Sequence, residues 1–275
     1  HNNLDVTSVK TSDVFAMPTK LWNLGNPSVF AIHETDQYLF TGTTSGLVIS
    51  EIENPENFTL VPDFRIRGIV EDDYNNIWVI NREGLFILPP QDFLNSPNNL
   101  IRVYHDPDDS RSLTSDNLRS IFKDENGQIW ILTFNAGINR FIGNVAEGKF
   151  QFQRLAHGVE TKKLPSPLTI SMTEDGDTYW VTTQKGLTNL HFEGPDYSRP
   201  VFKNYDESDG LITNGVLNSY IDNEGVLWVT SRKGLNKYVR DDDRFMSYGK
   251  RDGLSNTFVY DVLEDGEQNL WISTN

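Results

Sequence analysis

The stretch "DNEGVLWVTSRKGLNKY", residues 222–238, decides the fold because the chain repeats it. Four further stretches share its frame around a tryptophan, and a sixth has a phenylalanine at the same place. The six anchors are Phe40, Trp78, Trp130, Trp180, Trp228 and Trp271. Successive anchors are 38, 52, 50, 48 and 43 residues apart. An internal period of this length indicates a repeat architecture in which each repeat is one supersecondary unit.

Three further positions keep their distance from the anchor. An acidic residue stands six residues before it in every copy: Glu34, Asp72, Asp124, Glu174, Asp222 and Asp265. An apolar residue stands eight residues before it: Ile32, Val70, Phe122, Met172, Tyr220 and Leu263. Glycine followed by leucine or isoleucine comes six or seven residues after it, at Gly46, Gly84, Gly137, Gly186 and Gly234. Chance does not hold three registers through so many copies.

Each unit has the pattern of a four-stranded antiparallel meander. A first strand, as in "NLRSIFKD" (117–124), ends at the acid, and an Asp-x-x-Gly type of turn reverses the chain. The β-rich segment "IWIL" (129–132) is the second strand, and Gly-Leu opens the third, as in "GLNKY" (234–238). A segment such as "RFMSY" (244–248) supplies the fourth. The sequence therefore predicts an all-β fold, a β-propeller with six blade units.

We expect residues 1–275 to form a single propeller domain or part of a larger ring. The strand-like segments "LDVTSV" (4–9) and "TKLWNL" (19–24) precede the first anchored unit. We predict that residues 1–24 supply the outer strands that close the ring. The alternative is that further blades belong to the ring and that these six units are a portion of it.

Composition excludes several classes of function. The chain has 24 basic and 39 acidic residues and a net charge of −15, which disfavours binding to nucleic acid or to an anionic membrane surface. Cysteine is absent, so disulfides and thiolate chemistry are excluded. The five histidines lack metal-ligand spacing, and we find no nucleophile elbow, P-loop or dinucleotide fingerprint. We therefore expect no cofactor, no bound metal and no catalytic residues.

The repeated motifs have two possible roles each. The turns "DENG" and "DNEG" have some residues of a calcium loop, but Asp and Gly each suit a tight turn, which is the interpretation we favour. The anchor tryptophans could stack on sugars, but their position in mid-strand favours a role in blade packing. Trp22 lies outside the register, and its role stays open.

The meander separates the loops into two faces. Turns between the second and third strands lie on one face, with the segments that cross to the next blade. Variable polar side chains on a fixed scaffold are how repeat proteins build ligand sites. Our candidate ligand-binding residues on this face are Arg82, Asn117, Arg119, Gln184, Lys185, Asn214, Asn218, Arg232, Lys233, Asn256 and Tyr260. The alternative is that Asn117, Asn214 and Asn256 cap loop turns and that the basic residues form a solvated rim.

The pattern "GxLWVTSxKGLNKY", together with "DGLSN" and "SLTSDNLRSIFKDENGQIW", resembles the two-component regulator propeller repeat. The resemblance covers about residues 28–275. Blades of this family often have glycine two residues after the tryptophan, where this chain has Thr182, Thr230 or Ser273. The family usually forms seven-bladed rings, so the six units could belong to a ring of seven.

The resemblance implies a sensor region in the periplasm, within a bacterial hybrid two-component receptor. It implies a glycan or oligosaccharide ligand, a homodimer of the full-length receptor, and a histidine kinase elsewhere in the full-length chain. The region itself would then be non-catalytic and would not contact the membrane. Two alternatives remain: a propeller lyase or hydrolase, which needs a tight cluster of histidine and acid near the ring axis, and a scaffold that docks proteins.

Overall fold

The computed structural model describes residues 28–62, 65–90, 93–155, 164–194 and 196–275. Within these residues the strands form five four-stranded antiparallel sheets and a sixth sheet of two strands. Each four-stranded sheet is a meander in which every strand pairs with the next along the chain. The six predicted blade units are thus present, the sixth with its first two strands. The predicted ring-closing segment, residues 1–24, and Trp22 lie outside the described residues.

The strands of the six sheets have the following bounds. The first sheet holds β1 (Val29–Glu34), β2 (Tyr38–Thr43), β3 (Gly46–Glu51) and β4 (Phe58–Pro62), and the second holds β5 (Gly68–Glu71), β6 (Ile77–Ile80), β7 (Leu85–Leu88) and β8 (Ile101–Val103). The third holds β9 (Leu118–Lys123), β10 (Ile129–Thr133), β11 (Ile138–Phe141) and β12 (Phe152–Leu155), and the fourth holds β13 (Thr169–Asp175), β14 (Thr178–Thr183), β15 (Gly186–Phe192) and β16 (Pro200–Tyr205). The fifth holds β17 (Val216–Ile221), β18 (Leu227–Ser231), β19 (Leu235–Val239) and β20 (Arg244–Tyr248), and the sixth holds β21 (Val259–Glu264) and β22 (Leu270–Thr274).

The anchor tryptophans are the core of the blade interfaces. Trp78 packs against Ile129 and Ile131 of the third blade, and Trp130 against the fourth. Trp78 and Trp130 are 0% exposed, and Trp180 is 2% exposed. Burying one tryptophan removes roughly 150–250 Å² from water and stabilises the fold by about 4–6 kcal/mol. The prediction that these residues serve packing is confirmed for the blades that have a described neighbour.

Trp271 differs because no described blade lies beyond the sixth sheet. Its side chain is 60% exposed, and Leu263 beside it is 63% exposed. At the other end of the array, Ile32 of β1 is 53% exposed. The same repeat position is therefore buried or exposed according to whether another blade packs on it.

The acid before each tryptophan holds the first turn of the blade. In the third blade, Asp124 Oδ1 accepts the backbone N–H groups of Asn126 and Gln128 at 3.0 and 2.8 Å. Its Oδ2 accepts the indole N–H of Trp130 at 2.8 Å. The equivalent indole bonds, to Asp72, Asp222 and Asp265, are 2.8, 2.7 and 2.7 Å long. One side chain therefore fixes both the turn and the orientation of the core tryptophan.

The fourth blade departs from this register. Glu174 stands six residues before Trp180, but the indole N–H bonds to Asp175 instead, at 2.9 Å. The hairpin is shorter here, because Asp175 pairs directly with Thr178 and leaves a two-residue turn. Glu174 Oε2 instead accepts the backbone N–H of Glu125 in the third blade at 2.8 Å, so it joins two blades.

The glycine that opens the third strand has a steric cause. At Gly186 the backbone φ is +134°, and an added Cβ would lie 2.7 Å from the carbonyl oxygen of Tyr205 on β16. At Gly46 the corresponding distance, to the Val61 carbonyl oxygen of β4, is 2.2 Å. The close approach of the fourth strand leaves no room for a side chain, so glycine recurs at this register.

Hydrogen bonds confirm that the turns between second and third strands share a face with the crossing segments. The backbone N–H of Leu118 donates to Asn81 at 3.2 Å, and that of Phe134 to Asn117 at 3.0 Å. Further such bonds run from Ile66 to Thr43, from Gln184 to Leu168 and from Arg232 to Gly215. We call this side of the blades the Gly-Leu face, and the side with the Asp-x-x-Gly turns the aspartate-turn face.

Candidate ligand-binding face

The turns of the Gly-Leu face share a rigid base. A hydroxyl three residues after the anchor donates to the carbonyl oxygen of the following glycine, and the four hydroxyls are those of Thr43, Thr133, Thr183 and Ser231. These bonds are 2.7–2.9 Å long. The register could have been found from the sequence, because the third residue after each anchor is Thr, Ser or Asn throughout. The hydroxyl base thus recurs in four of the five described turns, with Asn81 at this position in the second blade, and the residues between it and the glycine vary.

Three arginines converge on one aromatic ring at the seam between the second and third blades. The guanidinium carbons of Arg82, Arg67 and Arg119 lie 4.8, 5.0 and 5.5 Å from the centre of the Phe134 ring. Arg67 precedes β5, Arg82 lies between β6 and β7, and Arg119 is on β9. Sequence analysis selected Arg82 and Arg119 as candidates but not Arg67 and Phe134, which are far from each other along the chain.

We call Arg67, Arg82 and Arg119 the arginine cluster, and their positive charges repel one another. Burial, and then repulsion by Arg82, Arg119 and Arg65, lowers the pKa of Arg67 to about 10. Burial and the charge of Arg82 also lower the pKa of Arg119. Among the described residues, no carboxylate forms an ion pair with the three arginines of the cluster or with Arg65. Like charges are therefore held together without a counter-charge from the described chain.

Asn117 stands beside this cluster. Its backbone carbonyl accepts the N–H of Phe134, and its own N–H donates to Ser115 Oγ at 3.1 Å. Two buried side-chain polar atoms among the described residues have no hydrogen-bond partner, and they are Asn117 Oδ1 and Arg67 Nε. A buried polar atom without a partner costs about 1–3 kcal/mol, so two at one seam need an explanation.

Four other predicted residues lie on the Gly-Leu face of later blades. Gln184 and Lys185 are exposed in the turn between β14 and β15, and Arg232 and Lys233 are exposed between β18 and β19. Their backbones are fixed, since Lys185 and Lys233 donate to the hydroxyls of Thr183 and Ser231 at 3.2 Å. Their role as ligand contacts remains a prediction.

The remaining predicted residues have local hydrogen bonds. Asn214 and Glu207 exchange two bonds of 3.0 and 3.1 Å within the loop before β17, and Asn256 Oδ1 accepts the N–H of Phe258 at 3.1 Å. Asn218 Nδ2 donates to Asp261 of the sixth blade at 2.7 Å, and the Tyr260 hydroxyl donates to Asn275 at 2.8 Å. These contacts agree with the capping alternative for Asn214 and Asn256, and their role in ligand binding stays a prediction.

Two cavities of about 850 and 840 Å³ open on the aspartate-turn face instead. The first lies between the first and second blades and is lined by Glu34, Asp36 and Glu71. The second lies between the second and third blades, beside Trp78 and Arg140. Over the described ranges, no three His, Asp or Glu side chains are grouped as a metal site, and no helix is long and apolar enough to cross a membrane.

Comparison with known proteins identifies the repeat. The family model described as two component regulator propeller matches residues 112–135 and 253–275. The first match contains Asn117, Arg119 and Phe134. A search of curated proteins gave no match.

Solved structures show the fold. The extracellular domain of a hybrid two-component system from B. thetaiotaomicron is 19% identical, with a TM-score of 0.67, over 90% of this chain and 32% of that one. The extracellular domain of a one-component system from the same organism is 20% identical, with a TM-score of 0.64, over 90% and 31%. Virginiamycin B lyase from Staphylococcus aureus is 12% identical, with a TM-score of 0.61, over 89% and 77%.

The chain thus spans about a third of the length of the two signalling domains that it resembles. Four-stranded meanders in series, an aromatic anchor at each described blade seam (Phe40 at the first and a tryptophan at the other four) and the matched segments agree with one another. Residues 112–135 and 253–275 therefore match the two-component regulator propeller repeat, and the described chain folds as the blades of a β-propeller.

Proposed function

We propose that this region is the non-catalytic ligand-sensing module of a bacterial signal-transduction receptor and that its Gly-Leu face binds a glycan or oligosaccharide. The receptor would work as a homodimer with the propeller in the periplasm, and it would relay the signal to a histidine kinase elsewhere in the full-length protein. The output of such a receptor depends on a change in the propeller when ligand binds, because a ligand shifts an equilibrium only through unequal affinity for its two states.

One observation carries the proposal. The Gly-Leu face combines a constant turn base with side chains that vary and point polar groups to solvent, as at Gln184, Lys185, Arg232 and Lys233. The aspartate turns, in contrast, use their polar side chains internally, as Asp124 does for Trp130. Rigid support under variable polar groups is the arrangement that binding surfaces of repeat proteins use.

A propeller lyase is the rival function, because the fold is shared with virginiamycin B lyase. A lyase needs a base and an acid next to the bond that breaks. The described histidine–acid pair is His33 Nε2 with Glu71 Oε2 at 3.1 Å, between the first two blades. Fold similarity alone does not assign an activity to it.

The decisive experiment is a thermal-shift screen of oligosaccharides with the intact extracellular region, followed by calorimetry on each hit. We expect at least one glycan to raise the melting temperature and to remain intact after prolonged incubation. Cleavage of the hit would establish the lyase or hydrolase function. Binding that survives unchanged in both Arg82→Ala and Arg232→Ala would show that the Gly-Leu face is not the site.

A further inference from the structure

The arginine cluster is placed as a binding site would be. Its three side chains come from a crossing segment, a turn and an inner strand, so no local sequence effect brings them together. Each guanidinium lies within 5.5 Å of the centre of the Phe134 ring, which orients them toward one point. A cation–π contact contributes about 0.5–2 kcal/mol, and one benzene ring has two faces for three cations.

The cluster is also anomalous for this protein. The chain carries 39 acidic residues against 24 basic ones, so carboxylates to pair with arginines are abundant. Elsewhere the described chain uses them, as in Arg240 with Asp175 at 2.8 Å and Lys123 with Asp73 at 2.7 Å. The arginine cluster has no such carboxylate partner among the described residues, although burial and mutual repulsion lower the pKa values of Arg67 and Arg119.

Two buried polar atoms without a hydrogen-bond partner also indicate a binding site at the arginine cluster. Arg67 Nε is buried and donates to no described group, and Asn117 Oδ1 beside the cluster accepts from none. A donor held next to other guanidinium groups is suited to an oxyanion, because carboxylate and sulfate oxygens accept two parallel N–H bonds from arginine. Asn117 Oδ1, an acceptor, is suited to a hydroxyl on the same ligand.

We propose that the arginine cluster binds an oxyanion, a carboxylate or sulfate group, and that the ligand which carries it is an acidic sugar with a neighbouring hydroxyl. Arg67, Arg82 and Arg119 hold the anion, Phe134 orients their guanidinium groups, and Asn117 accepts the hydroxyl. The anion site stands on the geometry alone. The sugar as its carrier rests on the function proposed above.

The first test uses inorganic sulfate as the probe. The melting temperature is measured in low millimolar sodium sulfate and in sodium chloride of equal ionic strength, for the unmodified protein, Arg82→Gln, Arg67→Gln and the control Arg244→Gln. Arg244 is an exposed arginine of β20, outside the cluster. We expect sulfate to stabilise the unmodified protein and the control, and to act on neither cluster variant.

The sign of one further change separates a binding role from a structural one. Without sulfate, Arg82→Gln should melt at the same temperature as the unmodified protein or higher, because the substitution relieves repulsion. Calorimetry should give an affinity for sulfate at least about tenfold weaker in Arg82→Gln. An equal response to sulfate in all four proteins would overturn the anion site. Should Arg67→Gln fail to fold, the exposed Arg82 still decides the question.

The second test identifies the carrier by competition with glucuronate, glucose 6-sulfate and glucose. We expect at least one of the two charged sugars to displace sulfate and glucose not to do so. Sulfate binding without displacement by either charged sugar would refute the sugar carrier and leave the anion site. A neutral oligosaccharide that binds the unmodified protein and Arg82→Gln equally would refute the need for an anion while leaving the sensor function intact.

Discussion

At the scale of single residues, the aspartate before the tryptophan does more than form a turn. Asp124 is 3% exposed and accepts four hydrogen bonds: two from the turn, one from Trp130, and one of 2.7 Å from the Tyr179 hydroxyl of the next blade. Burial and this bond raise the pKa of Tyr179. One carboxylate thus connects a turn, a core side chain and a neighbouring blade.

Substitution of Asp124 by alanine should therefore destabilise the fold strongly. Several donors lose their acceptor in a buried place, and each costs about 1–3 kcal/mol, so we expect a loss of at least about 3 kcal/mol in the free energy of unfolding. Urea unfolding monitored by tryptophan fluorescence measures it. The control is Asp196→Ala, because Asp196 is an exposed carboxylate whose bonds to the N–H and hydroxyl of Ser198 are also exposed, so that water replaces the lost bonds. Equal losses in the two variants would contradict this account.

Asp243 is a second polar node, at the turn between β19 and β20. Its carboxylate pairs with Lys203 and accepts the hydroxyls of Tyr205 and Tyr238, both at 2.7 Å. The bond from Lys203, followed by those from the two tyrosines, lowers the pKa of Asp243 to about 2. Tyr205 shows the reciprocal effect, since burial and the contact with Asp243 raise its pKa to about 12.

This network predicts a dependence of stability on pH. The folded-state pKa lies below the unfolded value of about 3.9, so the contribution of Asp243 is present above that value and is lost as the pH falls from about 4 to about 2. Asp243→Asn, which also tolerates the left-handed backbone at φ 52°, should be less stable than the unmodified protein at pH 7. The gap between their melting temperatures should close over that acidic range. A gap that stays constant down to pH 2 would be inconsistent with the network.

At the scale of the strand and turn, the Gly-Leu register is set by the contact with the fourth strand. Gly186→Ala should lower the free energy of unfolding by more than about 3 kcal/mol, because the new Cβ would lie 2.7 Å from the Tyr205 carbonyl oxygen and the backbone would also be strained. The control in the same blade is Gly176→Ala, where φ is +58° and no atom lies within 4 Å of the new Cβ. For Gly176→Ala we expect the free energy of unfolding to fall by about 1–2 kcal/mol, from backbone strain alone. Chemical denaturation compares the two variants, and similar losses would show that the close approach has little effect.

The sequence alone carries much of the information at this scale. The predicted strands 129–132 and 244–248 correspond to β10 and β20, because a turn, a β-rich run and a glycine recur at fixed distances. The shift from Glu174 to Asp175 as partner of Trp180 was missed, since it depends on a hairpin shorter than those of the other blades. A fixed distance from the tryptophan therefore does not predict which acidic residue bonds to its indole when the length of the turn varies.

The candidate site was harder to predict for a related reason. The strand order placed Arg82 and Arg119 on the Gly-Leu face. It could not predict that both side chains contact the Phe134 ring, because the two arginines are 37 residues apart in sequence. Arg67 lies in a crossing segment outside the repeated frame and gave no signal. Periodicity locates the constant parts of a repeat protein, whereas a binding site is made of the parts that differ.

At the scale of the whole molecule, polar groups are divided between the two faces. The aspartate-turn face engages its carboxylates in turns and blade contacts, as with Glu264, which accepts the backbone N–H of Asn223 across the last seam at 2.6 Å. On the described part of the Gly-Leu face, the arginine cluster has no carboxylate partner, although the net charge of the chain is −15. The seam between the second and third blades would therefore attract an anion while the rest of the surface repels it.

The most direct test of the central claim is hydrogen–deuterium exchange with and without the tightest-binding oligosaccharide of the screen. We predict slower exchange in the turns of the Gly-Leu face at the second and third blades, residues 81–84 and 133–137, and no change in the aspartate turns at 72–76 and 124–128. Protection confined to the aspartate turns, where the two large cavities open, would contradict the assignment of the binding face.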